Sequence, residues 1–448
     1  MTEITRDPWR RSRITKAIVD AALAPDWVGA EAMLHNVRLR ITIGEEVATT
    51  AAGQAALLTA VATSFRCFEL VEVICPIDVR LRRALPLGKT LGEAVRALGG
   101  TLVDSKDTAP THVVLIGADD SAGFAVRCWW NGWLAGVLPV QDTRKVSASW
   151  NPLAGIAAGA LAVREVFASA IGNARAGRRT SITSLWEPWE EPSAASKGPQ
   201  TLAFPDALWM IGLGHLGQGT AWALSFIPAR GRPVVTLQDD QVIEAENEAT
   251  CLLVRPGQLG LRKTRVVADW LEAVGWETRI IERRYDERMR PSLSEPGLCL
   301  CGLDDLLPRQ IVARSGFDYV IDAGVGHGPQ DFQRLQIKIV RAGKSDGLWS
   351  PAPNSDRNVE TLLARPAYQN YSRQPGVCGA LPLARASVAV PFVGAFAGAM
   401  MMAAAARIAN LQGIPRSIQV ELPAPDLITV SDFIEILVPI SASAVDLG

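Results

Sequence analysis

The stretch from Leu208 to Lys263 constrains this chain more than any other. An apolar run, Ala207 to Ile211, leads straight into Gly212-Leu-Gly214-His-Leu-Gly217, and Gln218 to Phe226 reads as a helix. A strand, a G-x-G-x-x-G turn and a helix N-terminus open a Rossmann-like unit, because the free N–H groups and dipole of the first helical turn attract phosphate. A second apolar run, Pro233 to Leu237, ends at Asp239-Asp240, where a nucleotide fold places its ribose-binding acid. Any Rossmann-like nucleotide binder satisfies the pattern to this point. Asn247, Arg255-Pro256, Gly260 and Lys263 then follow within one short segment. A triphosphate site has a use for such polar and basic groups; a nicotinamide site has none.

The chain of 448 residues is long enough for two or three domains, and 48% of it is hydrophobic, which gives a large core rather than a disordered chain. A formal net charge of −1, with Arg well mixed among Asp and Glu, points to neither a nucleic-acid nor a lipid surface as partner. Met1 to Arg13 is polar and lacks the apolar core of a signal peptide, and the seven cysteines are irregularly spaced, so reduced thiols in a cytoplasmic setting are expected. The most hydrophobic stretch, Ala386 to Ala406, is rich in Ala and Gly and contains Pro391; it reads as a buried core helix rather than a membrane span. With no C-x-x-C pair, no structural zinc is expected.

Two α/β blocks are expected. Residues 1–171 form the first, with helical spacing at Ile14 to Leu23 and Ala51 to Cys67, and strand-like runs at Phe68 to Cys75, Thr111 to Ile116 and Ala125 to Pro139. Alternating strands and helices give a largely parallel sheet, and the missing G-x-G-x-x-G turn implies that this block binds no nucleotide itself. Residues 172–200, rich in Arg and then in Trp, Glu, Pro and Ser, read as a linker, and 201–448 as the second block. Residues 344–380 read as a long loop. Each block ends with a Pro followed by a Gly/Ala-rich helix, Asn151 to Phe167 and Pro391 to Ile408, an echo that suggests a duplicated unit.

With these residues in view, the second block resembles the ThiF/MoeB/ubiquitin-activating-enzyme family over about 201–410. The family's nucleotide turn matches Gly212, Gly214 and Gly217; its ribose acid matches Asp239, eight residues before the Asn that matches Asn247. The family Arg three residues further on is Thr250 here. The family Lys matches Lys263, after Arg255-Pro256-Gly257-Gln258-Leu259-Gly260, and a Leu-Asp-Asn-x-x-x-Arg element matches Leu303-Asp304-Asp305 through Arg309, with Asp305 in place of Asn. Gly376-Val-Cys378-Gly-Ala-Leu-Pro382 is similar to the segment that carries the thioester cysteine in single-domain activating enzymes.

The resemblance implies a Rossmann-like adenylation domain (ThiF/MoeB fold) preceded by a degenerate, inactive copy, the two forming a pseudo-dimer within one chain, with homodimer formation left open. A domain unrelated to the adenylation fold, serving as an adaptor, is the alternative for the first block. The implied activity is ATP- and Mg2+-dependent adenylation of the C-terminal Gly of a ubiquitin-like β-grasp protein, thioester formation on Cys378 in a crossover loop at about 344–385, and transfer to a ubiquitin-conjugating-type enzyme. On that basis Lys263, Arg255, Asn247 and Arg309 bind nucleotide, Asp239 holds the ribose and Asp304 holds Mg2+. Since Thr250 removes one cation, Arg6, Arg10, Arg11 and Arg13 are candidates to replace it from the first block. A sulfur-carrier or peptide adenylyltransferase without a thioester, and a noncatalytic nucleotide-binding scaffold, are the rival readings.

Overall fold

The computed structural model describes residues 11–104, 109–119, 123–147, 150–326, 331–343, 349, 355–372, 384 and 388–448. The first domain begins with helices α1 (Ser12–Asp20) and α2 (Trp27–His35), and its sheet starts at β1 (Arg38–Ile43). The short α3 (Glu45–Ala48) and the long α4 (Ala51–Cys67) follow, then β2 (Leu70–Ile74), α5 (Leu91–Ala97), β3 (Thr101–Leu102), β4 (His112–Ile116), β5 (Phe124–Asn131), β6 (Leu134–Pro139), α6 (Pro152–Ala170) and β7 (Ser181–Ser184). The sheet order is β3-β2-β1-β4-β5-β6-β7; the first five strands are parallel and the last two antiparallel. Strand β7 lies inside the stretch that composition marks as a linker, so the first sheet runs past residue 171.

The second domain repeats this plan. After β8 (Thr201–Pro205) come β9 (Ala207–Ile211), α7 (His215–Ser225), β10 (Val234–Gln238), α8 (Asn247–Thr250), α9 (Lys263–Ala273), β11 (Glu277–Ile281), β12 (Leu298–Cys301), α10 (Leu306–Ala313), β13 (Tyr319–Val325) and β14 (Arg334–Arg341). Helices α11 (Ser355–Leu363) and α12 (Pro366–Ser372) lie where the sequence reads as loop, followed by α13 (Pro391–Ala409), β15 (Ile414–Pro415), β16 (Ser417–Glu421), β17 (Ile428–Val430), β18 (Phe433–Ile434) and β19 (Ala442–Asp446). The main sheet has the order β11-β10-β9-β12-β13-β14-β16-β17, again five parallel strands followed by antiparallel ones, while β15 pairs with β18 and β8 with β19. The expected Rossmann-like α/β architecture and the preceding second copy are both present.

Small residues dictate how the copies are assembled. Helix α4 packs against α6, α7 against α13, and the two pairs meet along α6 and α13. A Cβ on Gly155 would lie 2.1 Å from the Ala52 carbonyl oxygen, and one on Gly159 2.5 Å from that of Ala56. In the second copy a Cβ on Gly219 would lie 2.0 Å from the Gly394 carbonyl oxygen, and one on Gly398 2.1 Å from that of Gly219. Backbones so close leave no space for side chains, which explains the Gly/Ala-rich composition of both terminal helices. Helices α6 and α13 are long and apolar enough to cross a membrane by length and composition, but both are buried between the sheets, as expected for core helices. Both begin with Pro in the first turn, where the missing N–H has no intrahelical partner to lose.

The first copy keeps the tight packing of a nucleotide turn but fills it differently. A Cβ on Gly44 would lie 2.1 Å from the Gly117 carbonyl oxygen, and one on Gly53 2.0 Å from that of Val47. Between these glycines runs α3, whose first turn carries Glu45 and Glu46. Two carboxylates stand where the second copy offers backbone N–H groups, so this turn opposes an anion.

Candidate active site

In an open α/β sheet, ligands bind beyond the carboxyl ends of the strands, at the point where the strand order reverses. Here that point lies between β9 and β12. Gly212 leaves β9 with φ +83°, a conformation that L side chains avoid, and a Cβ there would lie 2.9 Å from the Gly302 backbone at the end of β12. A Cβ on Gly217 would lie 2.0 Å from the Gly212 carbonyl oxygen, so the third glycine lets α7 close onto the turn. Gly214 has nothing within 4 Å of a notional Cβ and caps α7 without a side-chain bond. It forms the open face, with first-turn N–H groups directed to where a phosphate would sit. His215 does not share that face: its Nε2 donates to the Val390 carbonyl at 2.8 Å, and burial pushes its pKa down to about 4.

Asp239 follows β10 directly. Its carboxylate accepts from the Leu213 N–H at 2.7 Å and from the Gln241 N–H at 2.8 Å, so it braces the glycine turn as well as facing the cleft. Burial pushes its pKa up, against the pull of the Leu213 N–H and of the Lys263 charge. Lys263 is the first residue of α9; it is buried, and its Nζ donates to the Gln241 side chain at 2.6 Å. Asn247 opens α8, and its Oδ1 accepts from the Glu244 N–H at 2.9 Å. Thr250, at the position of the family Arg, is buried and donates to the Glu246 carbonyl at 3.1 Å, turned into its own helix.

A cation does arrive beside α8, from the other domain. Arg13 on α1 forms an ion pair with Glu246, and its charge is felt by both His215 and Cys251. Arg11 is buried and committed to Glu31 at 2.5 Å and Glu69 at 2.9 Å, away from the cleft; Arg6 and Arg10 lie outside the described residues.

Two expected nucleotide ligands are held elsewhere. The Arg255 guanidinium donates to the Pro86 carbonyl at 2.6 Å and lies 5.1 Å from the Trp270 ring centroid, so it closes the domain seam rather than facing the glycine turn. Arg309 is buried in a two-pronged pair with Asp322, its Nε and Nη2 donating at 2.8 and 2.7 Å. Both retain their charge but not a free fork for phosphate.

Asp304 and Asp305 are exposed just beyond β12, and Asp305 takes the cap position of α10 without a side-chain bond. Among the described residues no group of three His, Cys, Asp or Glu side chains could hold a metal ion. Mg2+ that keeps its waters and a phosphate needs only one or two carboxylates, so exposed Asp304 at the switch point fits that use. Cys378 lies outside the described residues. The other cysteines are placed: Cys67, Cys128, Cys251, Cys299 and Cys301 are buried and Cys75 partly so, and burial pushes their thiols up, to about 12 for Cys67 and Cys128, which leaves them protonated.

The sequence reading also missed residues at this edge. Arg284 pairs with Asp240 at 2.8 Å, and its charge is sensed alongside Asp304 and Asp305. Asp322 and Lys338 face each other in register on β13 and β14. The only available signal was Asp322 inside an otherwise apolar strand, since β14 carries Arg334, Gln336 and Arg341 as well as Lys338.

A glycine turn at the strand switch point of one of two matched Rossmann-like domains, with a cation crossing between them, defines a paired Rossmann-like α/β protein. A family model described as the BilD N-terminal domain matches residues 38–185, and one described as the BilD C-terminal domain matches 204–412. The bacterial E1-like protein BilD of Collimonas sp. (strain OK412) is 36% identical over 412 residues, covering 89% of this chain and 88% of that protein. The chain therefore belongs to the E1-like BilD family. Among solved structures, PaaA matches at 15% identity with a TM-score of 0.31, covering 52% of this chain and 73% of that one. Escherichia coli MccB matches at 15% identity with a TM-score of 0.31, covering 54% and 62%.

Proposed function

We propose that this chain activates the C-terminal Gly carboxylate of a ubiquitin-like β-grasp protein with ATP, in a reducing, cytoplasmic setting. What supports the reading is the glycine turn at the strand switch point, with Asp239 bonded to the turn at the Leu213 N–H and within reach of the Lys263 charge, and Asn247 and the Arg13–Glu246 pair at the start of α8. In the first step a carboxylate oxygen attacks the α-phosphorus, the bond to the bridging β-phosphate oxygen breaks, and pyrophosphate leaves with that electron pair. A weak nucleophile and a highly charged electrophile must meet, so neutralising charge is the main task of the site. Lys263 and Arg13 supply positive charge, the first turn of α7 supplies N–H donors, and Asp239 orients the ribose. Mg2+ held by Asp304 would add Lewis-acid stabilisation of the triphosphate.

In the second step the Cys378 thiolate attacks the acyl carbon, AMP leaves, and the resulting thioester passes its acyl group to a conjugating enzyme's cysteine. The test is ATP–pyrophosphate exchange dependent on a β-grasp protein ending in Gly. Exchange is expected with the intact chain and is lost in Lys263→Ala. Cys378→Ala retains exchange while losing a reductant-sensitive adduct. Exchange without any reductant-sensitive adduct in the wild type would favour an adenylyltransferase with no thioester step, and no exchange with any such partner would leave a noncatalytic nucleotide-binding scaffold.

A further inference from the structure

Among the described residues beside the nucleotide cleft, the structure holds one buried donor with no acceptor, the Trp349 indole N–H, and next to it a largely buried lysine that makes no hydrogen bond. Lys338, on β14, is 6% exposed, and its Nζ lies 5.1 Å from the ring centroid of Trp349. Among the described residues it makes no ion pair or hydrogen bond. The carboxylate directly across the ladder, Asp322, gives both oxygens to Arg309. That arrangement is built in: Gly324 on β13 keeps the space that the Arg309 guanidinium fills, since a Cβ there would lie 2.6 Å from it. Trp349 Nε1 is buried without a partner. Buried polar groups in native proteins are almost always paired, so the Trp349 N–H calls for an acceptor, and the Lys338 ammonium beside it favours an anionic one.

The position of these donors indicates the missing group. Trp349 packs on the apolar cluster that includes Trp209, Cys299 and Cys301, as does Leu303, which directly precedes Asp304. Cys301 at the end of β12 is in register with Asp322. The Arg309 charge is sensed by Lys338 on one side, and that of Asp304 by Arg309 on the other. These donors therefore border the carboxyl end of β12, where the reacting ends of both substrates must meet. Burial and the like charge of Arg309 push the Lys338 amine down to about 8, against the pull of Asp322, so an entering anion would favour its charged form.

We propose that Lys338 and the Trp349 N–H form the receiving subsite for the C-terminal carboxylate of the protein substrate, holding it before it attacks the α-phosphorus. The inference rests on the proposed adenylation reading and names the positioning residues for its nucleophile. Since the same donors suit a nucleotide phosphate, the test separates the two sources.

A short synthetic peptide ending Gly-Gly is titrated calorimetrically as the free acid and as the C-terminal amide, and ATP is titrated separately, against the full chain. The wild type is expected to prefer the acid by about tenfold, the value of a hydrogen bond to a charged group. Lys338→Met, which keeps the apolar stem, erases the preference and leaves the ATP affinity unchanged; Lys338→Arg retains part of it. Trp349→Phe keeps the ring and lowers the preference without removing it, which keeps the test available if Lys338→Met fails to fold. A wild type that binds acid and amide alike, or neither, overturns the inference. So does a Lys338→Met variant that keeps its preference or loses ATP instead. Adenylation itself is judged separately, by exchange with the full protein substrate.

Discussion

At the scale of single residues, the three glycines of the turn have separable duties. A methyl group on Gly217 would meet the Gly212 carbonyl oxygen at 2.0 Å, so Gly217→Ala must displace backbone. A cost of about 1–3 kcal/mol is expected, by analogy with overpacking, together with loss of ATP binding. Gly214→Ala meets nothing within 4 Å, so its melting temperature is expected to stay near wild type, while its methyl group obstructs the approach of phosphate to the turn. Thermal melts paired with ATP titration distinguish the two cases; equal destabilisation by both substitutions would contradict these assignments. His215 makes a pH prediction. Its folded-state pKa of about 4 lies below the ordinary 6.5, so the unfolded chain takes up a proton first as pH falls. The stability this residue contributes is complete above about 6.5 and is lost on acidification toward 4, up to about 3 kcal/mol, with the ring's partial exposure holding the loss lower. His215→Gln, which can still donate to Val390, is expected to flatten that part of the urea-midpoint profile between pH 4 and 6.5.

At the scale of elements, the glycine contact between α7 and α13 couples packing to the site. Gly398→Val forces its side chain into the Gly219 carbonyl, where even a Cβ would lie 2.1 Å away. Because α7 carries the turn, stability and ATP affinity are expected to fall together, the former by about 1–3 kcal/mol in urea denaturation. Loss of one without the other would show that the contact does not position the turn. Which elements were legible follows from the same physics. The strand–turn–helix around Gly212 and the terminal helices α6 and α13 follow from uninterrupted apolar runs and Pro at the helix start. Strand β1 was not legible, because Arg38 and Arg40 break its apolar pattern. Arg40 is nonetheless buried, paired at 3.2 Å with Glu72, its register partner on β2. Strand β7 was hidden for a similar reason, its Ser and Thr residues being buried between polar stretches. In the site, spacing to the turn reflects a local fold, so it could single out Asp239, Asn247 and Lys263 together; Asp239 bonds the turn and Lys263 lies within its electrostatic reach. The partners of Arg255 and Arg309, Pro86 and Asp322, were not legible, because they are chosen by tertiary packing that spacing does not encode.

At the scale of the whole molecule, two copies of one topology divide the work unequally. The second copy offers N–H groups at its glycine turn; the first places Glu45 and Glu46 there. One ATP per chain is the expected stoichiometry in equilibrium titration. The first copy instead contributes across the seam: Arg66 donates to the carbonyls of Cys251, Leu252 and Val254 just beyond α8, and Arg13 reaches Glu246 one residue before it. The short helix with Thr250 is thus held from the other domain, with the Arg13 guanidinium at its start; under the adenylation reading, Arg13 replaces the cation missing at Thr250. Removing a single charged donor from a preorganised site lowers a rate by about 10²–10³-fold. Arg13→Ala is expected to lower ATP–pyrophosphate exchange by that factor with little change in melting temperature, since the side chain is 20% exposed at the seam. Arg13→Lys should recover part of the rate. Exchange that proceeds at the wild-type rate in Arg13→Ala would mean that the second copy meets the charge of the triphosphate unaided, and that the seam serves stability alone.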